Sequence, residues 1–262
     1  MNLLQAFISI IDLWRPAFCK LEAFHRAREH AVAALCSFGH HTITSIAIFL
    51  GRDRKKPSAD YKLYSWCKWK VEEIFNPLLK ICLRFFEEDY IVIGVDDTKL
   101  KKTGKKIPFT SWQRDPMSPP YVRGGKRHYR EPGYLLSTDI ESSCEFLLQS
   151  YLDRVQIEYN HRDEKSILGV GEAQVRNERS VSHQPALCVA AYSALLLASI
   201  LTYEDQPHSD FGEEPLWRPI PKRNSCRALV GQLRAPLIEQ PQTILEMGIP
   251  PPIIAAILRK AD

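Results

Sequence analysis

The spacing of apolar residues divides the chain into a helical first third and a more varied remainder. Up to about residue 88, apolar positions recur every three or four residues, as on one face of a helix. This pattern predicts four helices, over residues 3–14, 18–36, 43–50 and 71–86. Proline or glycine should interrupt the pattern four times, at Pro16, Gly39, Pro57 and Pro77.

One short unit in this helical region is a candidate for contact with DNA. The helix over residues 43–50, capped by Thr42 or Thr44, should end at Gly51 and lead into a basic turn at 52–56. The next helix brings alternating basic and aromatic residues, namely Lys62, Tyr64, Trp66, Lys68, Trp69 and Lys70. A helix, a glycine turn and a basic helix suit a DNA-contacting unit, but this pattern alone favours a plain helical bundle.

The pattern changes after residue 88. The β-branched run at 90–95 predicts a buried strand, and shorter strands are predicted at 107–110 and 134–138. Residues 116–133 contain four prolines and three glycines, and predict neither a strand nor a helix.

Two helices are predicted after these strands. The first is amphipathic, spans about 141–168 and is expected to be capped by Thr138 or Asp139. The second spans 185–201, with Pro185 in its first turn. Beyond residue 202 the chain is proline-rich and predicts an irregular tail with one short helix near its end, at 252–260.

Charge is concentrated in one segment. The net charge of the whole chain is only +4, but residues 98–130 contain ten basic residues, Lys101 and Lys102 among them, against one acid. Such a density of positive charge attracts phosphate, although a solvated loop is an equally good explanation of charge alone.

Cysteine usage and hydropathy bear on location. The seven cysteines include no close pair, which argues against a zinc site or a disulfide framework and favours a cytoplasmic protein. Residues 185–201 are apolar enough to raise the question of a membrane span, but the run is alanine-rich and slightly short, so a buried core helix is predicted. The expectation is therefore a protein with no membrane association.

Two adjacent aspartates, Asp96 and Asp97, follow the first predicted strand directly. Neighbouring carboxylates at the buried end of a strand repel each other, and Mg²⁺ offsets that repulsion through hard oxygen coordination. The alternative is that one aspartate caps a turn while the other faces solvent.

The predicted helix at 141–168 carries a second candidate set, Tyr151, Arg154, Glu158 and Lys165. Their spacing places all four along one stripe of the helix. A carboxylate flanked by two cations and a tyrosine can put a metal ligand beside groups that bind phosphate. An amphipathic helix with ordinary ion pairs is the simpler alternative.

The order Tyr, two residues, Arg, three residues, Glu, six residues, Lys resembles the signature of a large group of bacterial insertion-sequence transposases of the DDE type. Four other segments resemble that group in the same order along the chain, namely residues 96–98 with the lysines after them, 134–139, 169–174 and the apolar helix after Pro185. The helix departs from the pattern at Val155, where relatives are expected to carry tryptophan.

The resemblance implies an RNase H-like core, and so an α+β fold in three parts. Residues 1–88 would be a helical, DNA-binding region, 89–202 an α/β core with an incomplete sheet, and 203–262 a tail. It also implies two Mg²⁺ ions held by carboxylates for in-line attack on a phosphodiester. The resemblance then assigns catalysis to Asp96, Asp97 and Glu158, with Asp96 and Glu158 as metal ligands.

The same resemblance implies that Tyr151, Arg154 and Lys165, with Lys101 and Lys102, contact DNA at the ends of the mobile element. The expected partner is therefore transposon-end DNA in a nucleoid-associated cytoplasmic protein, and a homodimer is an open alternative.

The second aspartate of the DDE set is missing from its expected place. Only 43 residues separate Asp97 from Glu141, too few for the strands and helix that should lie between them. An internal deletion near residues 122–126 explains the shortfall. The chain is thus predicted to be a transposase unable to complete transposition, or else a non-catalytic DNA-binding remnant that inhibits full-length copies.

Overall fold

The computed structural model describes residues 2–37, 39–52, 57–86, 107–108, 141–204 and 224–239, with residues 251, 253 and 255. Every regular element within these ranges is helical. The α-helices are α1 (Leu3–Asp12), α2 (Leu21–Cys36), α3 (Ile43–Phe49), α4 (Ser58–Ser65), α5 (Val71–Cys82), α6 (Cys144–Ser166), α7 (Glu178–Tyr203) and α8 (Cys226–Glu239). Short 3₁₀ turns at Arg15–Ala17 and Leu83–Phe85 follow α1 and α5.

The helix α7 lies at the centre of the bundle. It packs against α1, α2, α4 and α5, and also contacts α6 and α8. Alanines such as Ala190 and Ala194 are fully buried on it, and their small side chains let neighbouring helices approach closely. Leu187 and Leu195 fill the remaining space. The prediction that the apolar run at 185–201 forms a core helix is confirmed.

By length and composition alone, α7 also qualifies as a candidate to cross a membrane, and within the described ranges it is the one helix that does. Half of that apolar stretch is buried inside the bundle, and the core helix of a helical protein can be as apolar as a membrane span.

The predicted α+β fold with an RNase H-like core is wrong. The structure is helical, and neither a strand nor a sheet occurs anywhere in the ranges given above. The apolar surface of α7 packs against helices from residues 3–82 and not against a sheet. The three segments predicted as strands, 90–95, 107–110 and 134–138, lie largely outside the described residues.

Two prolines predicted to mark helix limits lie inside helices. Pro77 was expected to break the fourth predicted helix, yet α5 continues through it. Ile74, Leu78 and Ile81 are buried on the same helix, and at roughly 1.5–3 kcal/mol each their burial offsets the ~3 kcal/mol that an interior proline costs. Pro185 is not in a first turn either, because α7 begins seven residues earlier, with Asn177 as its cap.

Two other predictions about helices were also wrong. The helix α6 begins at Cys144 and is capped by the Ser143 hydroxyl, which accepts from the Phe146 N–H, and not by Thr138 or Asp139. The tail is not wholly irregular, since α8 buries Leu229, Leu233 and Leu237 in the core. These leucines recur at helical spacing, but the proline-rich composition of the tail had predicted an irregular segment.

The three-part domain division stays a prediction. One continuous apolar core includes Leu4 from α1, Leu195 from α7 and Leu233 from α8, so each predicted part contributes to it.

Candidate functional site

The predicted signature residues lie on a single helix. Tyr151, Arg154, Glu158 and Lys165 all belong to α6, where their spacing keeps them within roughly 60° of arc. The helix has 23 residues and is therefore about 34 Å long. The roles assigned to the four residues stay predictions.

Most of the surface of α6 is open to solvent. Tyr151 is 46% exposed, Glu158 is exposed and Lys165, near the C-terminal end, is half-buried. Phe146, at the other end, is 42% exposed. The exposed ring of Tyr151 and the exposed carboxylate of Glu158 can meet a macromolecule, which residues in the core could not do.

The C-terminal turns of α6 attach it to the bundle. Glu164 is buried there and lies 3.0 Å from Nδ1 of His161, measured from its Oε2. The Tyr192 hydroxyl on α7 donates to Oδ1 of Asn160 at 3.1 Å. These contacts fix the direction of the helix, and with it the direction of the signature stripe.

A tight glycine turn follows α6 and joins it to the loop before α3. Gly169 and Gly171 have φ of 60° and 95°, a backbone conformation that glycine adopts without steric cost. Oε2 of Glu172 accepts a hydrogen bond from the His41 backbone N–H at 2.6 Å. The turn therefore links α6 to the N-terminal helices.

The other predicted site residues, Asp96, Asp97, Lys101 and Lys102, lie outside the described residues. Of the two predicted metal ligands, only Glu158 can be placed, and its exposed carboxylate is a donor of the kind that Mg²⁺ accepts. In the ranges that the structure describes, no group of three or more His, Cys, Asp or Glu side chains could hold a metal ion. The magnesium site thus stays a prediction.

The helix and glycine turn predicted near residue 50 are part of the bundle, but the second helix, α4, ends at Ser65, so only Lys62 and Tyr64 of the basic and aromatic set lie on it. The Thr42 hydroxyl caps α3 by accepting from the Ser45 N–H at 3.1 Å, and Gly51 ends it with φ of 69°. Tyr64 and Trp69 are buried, so they serve the core. The other members of the basic and aromatic set are exposed: Lys62, Trp66, Lys68 and Lys70.

A buried carboxylate joins α2 to α4, and the sequence analysis did not predict it. Asp60 on α4 is fully buried, and its Oδ1 accepts from Arg26 at 2.9 Å, from Arg52 at 2.7 Å and from His30 at 3.0 Å. Arg52 also pairs with Glu29. The signal was present, because Asp60 shares a helix face with the core residues Leu63 and Tyr64, three and four positions later.

The bonding around His30 defines its tautomer. Since an ionised carboxylate can only accept, Nε2–H of His30 donates to Asp60, and Nδ1 accepts from the Tyr64 hydroxyl at 2.8 Å. Burial lowers the pKa of His30 despite the neighbouring Asp60. Burial alone would raise the pKa of Asp60, but the hydrogen bond from His30 and the charge of Arg52 hold it at about 2.

Stability is expected to fall as the pH is lowered from 7 to 5. Burial lowers the pKa of His30, His41 and His183, so at these pH values the unfolded chain binds more protons than the folded one. The contribution of the three neutral histidines to the free energy of unfolding is complete above about pH 6.5, the ordinary pKa of histidine, and is lost below it. Urea denaturation at pH 7, 6 and 5 measures the effect. A free energy of unfolding that rises toward pH 5 would contradict it.

The chain was compared with protein-family models, with curated proteins and with solved structures, and none of them matches it.

Proposed function

We propose that this chain is a DNA-binding protein of the insertion-sequence transposase type, which binds element ends and does not cleave them. The observation that carries the proposal is the stripe on α6, where Tyr151, Arg154, Glu158 and Lys165 share one face of a long, solvent-exposed helix. The helix length of about 34 Å is close to one turn of duplex DNA, so one face can follow a groove or a strand of phosphates.

Attraction to DNA would come mainly from outside α6. Five acids and three Lys or Arg residues lie on this helix, so its overall charge is unfavourable for phosphate. The segment at 98–130 supplies the compensating positive charge, and Lys101 and Lys102 lie within it. In this proposal the basic segment provides affinity and the stripe provides orientation on the DNA.

Non-catalytic binding is favoured over cleavage for two reasons. The chain lacks the second aspartate that the resemblance requires. The described residues are helical, without the RNase H-like sheet that would hold three carboxylates around shared cations. The alternative, a working transposase with Mg²⁺ bound by Asp96 and Glu158, is an outcome of the experiment below.

Binding is tested by gel shift with duplex DNA taken from either side of the gene. We expect the variant Lys101→Ala/Lys102→Ala to bind about tenfold more weakly at ~0.1 M salt, and its salt slope to fall by about 2. Lys80→Ala, at an exposed position on α5, is the matched control and should leave binding unchanged. Equal losses in both variants would contradict the assignment to the basic segment.

Cleavage is tested on the same duplex with Mg²⁺ or Mn²⁺. The proposal expects binding without nicking. Nicking by the natural chain that is abolished in Glu158→Gln would overturn it in favour of the catalytic alternative. In the absence of metal, Glu158→Gln should bind slightly more tightly, because it removes a negative charge from the stripe.

A further inference from the structure

Trp66 is the most exposed large apolar residue among those that the structure describes, with 73% of its surface accessible. Tryptophan has a large apolar surface and a polar N–H, and it is enriched at binding interfaces. The residue lies directly after α4, where its backbone N–H donates to the Lys62 carbonyl at 3.0 Å. Its own carbonyl accepts from Nη1 of Arg179 on α7 at 3.2 Å. The backbone of Trp66 is thus held from two sides while the indole faces solvent.

Positive charge surrounds the indole. Nζ of Lys62 lies 5.6 Å from the ring centroid, a cation–π distance, and Lys68 and Lys70 are exposed nearby in sequence. Residues 61–71 contain three lysines and no acid.

A cation from another element also reaches this place, since Arg179 on α7 donates to the Trp66 carbonyl. Burial raises the pKa of the adjacent Cys67 thiol, and the charges of Arg26, Lys20 and Arg179 oppose that rise. Acids neutralise part of the charge, since Glu73 lies 3.7 Å from Lys70 and Asp60 pairs with Arg26. Lys62 at the indole and Arg179 at the backbone carbonyl thus place cations from two parts of the chain beside Trp66.

An open aromatic ring among lysines fits a ligand that combines a flat π-surface with negative charge. Phosphate alone would use the lysines and not the indole, and an acidic peptide offers no flat ring to stack. A nucleotide in a single strand offers both, whereas the bases of an intact duplex already stack on one another. Lys62 covers one side of the indole, and the exposure of Trp66 leaves room for a base on the other.

We infer that Trp66 and the lysines around it bind unpaired nucleotides, with a base stacked on the indole and neighbouring phosphates at Lys62 and Lys68. The inference deepens the proposed function and rests on it, since it names the form of nucleic acid that this second surface takes. Unpaired bases would be present wherever the end of a bound duplex is frayed or nicked.

The test uses the full chain, fluorescently labelled 15-nucleotide oligo(dT) and the blunt duplex from beside the gene. Trp66→Ala should weaken oligo(dT) binding about tenfold, and Trp66→Phe, which keeps a ring, less than about threefold. Duplex binding should change less than about twofold in both variants. Phe85→Ala removes another exposed aromatic ring and is the matched control, with no expected change.

The inference is overturned if Trp66→Ala binds oligo(dT) as tightly as the natural chain. It is also overturned if the variant loses affinity only for phosphatidylserine vesicles, which would assign the surface to a membrane. The proposed function fails separately. If the chain binds oligo(dT) through Trp66 but does not bind the gene-flanking duplex, the inference stands and the proposed function is wrong. If the chain binds the duplex but Trp66 does not contribute to oligo(dT) binding, the proposed function stands and the inference is wrong.

Discussion

Replacing Asp60 with asparagine is expected to lower the free energy of unfolding by about 3–5 kcal/mol at pH 7. The carboxylate is fully buried and accepts from Arg26, His30 and Arg52 on one oxygen. An amide of the same shape keeps the volume but removes the charge that balances two partly buried guanidinium groups. Urea denaturation followed by circular dichroism measures the loss.

The pH dependence of this loss separates charge from packing. The pKa of Asp60 is lowered to about 2, so its contribution is complete above the ordinary pKa near 4 and is lost as the pH falls toward 2. The difference in the free energy of unfolding between the natural chain and Asp60→Asn should therefore stay constant from pH 6 to about pH 4 and narrow between about pH 4 and pH 2. The matched control is Asp12→Asn, because Asp12 pairs with Arg28 at 3.0 Å but is 47% exposed. This variant should cost less than about 1 kcal/mol. Equal losses at both positions would show that burial of the carboxylate is not the cause.

Replacing Gly169 with alanine is expected to cost about 3 kcal/mol. At φ of 60° an L side chain is strained by about 1–2 kcal/mol. The added Cβ would also lie 2.7 Å from Cβ of His41, and 2.8 Å from the Glu172 side chain that accepts from the His41 N–H. The backbone must shift to relieve the contact with His41, whereas the Glu172 side chain can turn away at the expense of its hydrogen bond to the His41 N–H. Thermal and urea denaturation of the variant provide the measurement.

The variant Gly39→Ala measures the cost of backbone strain at positive φ without a steric clash. Gly39 has φ of 83°, and a Cβ there would meet no atom within 4 Å. This variant should lose only the strain, about 1–2 kcal/mol. If the two variants are destabilised equally, the close approach of the glycine turn to His41 has no energetic importance.

Local patterns predicted the helices well where one apolar stripe faces one core. The predicted start of the helix at residue 43 is confirmed, as are its Thr42 cap and its end at Gly51. The stripe in α6 lies on one long helix as the spacing required. In each case the contacts that determine the helix are made between residues close in sequence, so the local pattern is sufficient to predict it.

Predictions were wrong where contacts between residues far apart in sequence determine the structure. Pro77 and Pro185 are tolerated because packing across the bundle offsets the lost backbone hydrogen bond, and no local pattern reports that packing. The burial of Asp60 depends on Arg26 and Arg52, which lie 34 and 8 residues away in sequence. A charged residue on an apolar helix face indicates that it has an oppositely charged partner, but the sequence does not show which residue that partner is. The fold class failed for the same reason, because the composition of α7 suits a sheet face and a helical bundle equally.

The central position of α7 has a consequence for biosynthesis. After α5 leaves the ribosome, about 120 more residues must be added before α7 is complete, which takes roughly 6–24 s at an elongation rate of about 5–20 residues per second. During that interval the apolar faces of α1 and α5 have no helix to receive them. The nascent chain is therefore a client for chaperones that shield hydrophobic segments, and premature termination before residue 178 would release a product unable to close its own core.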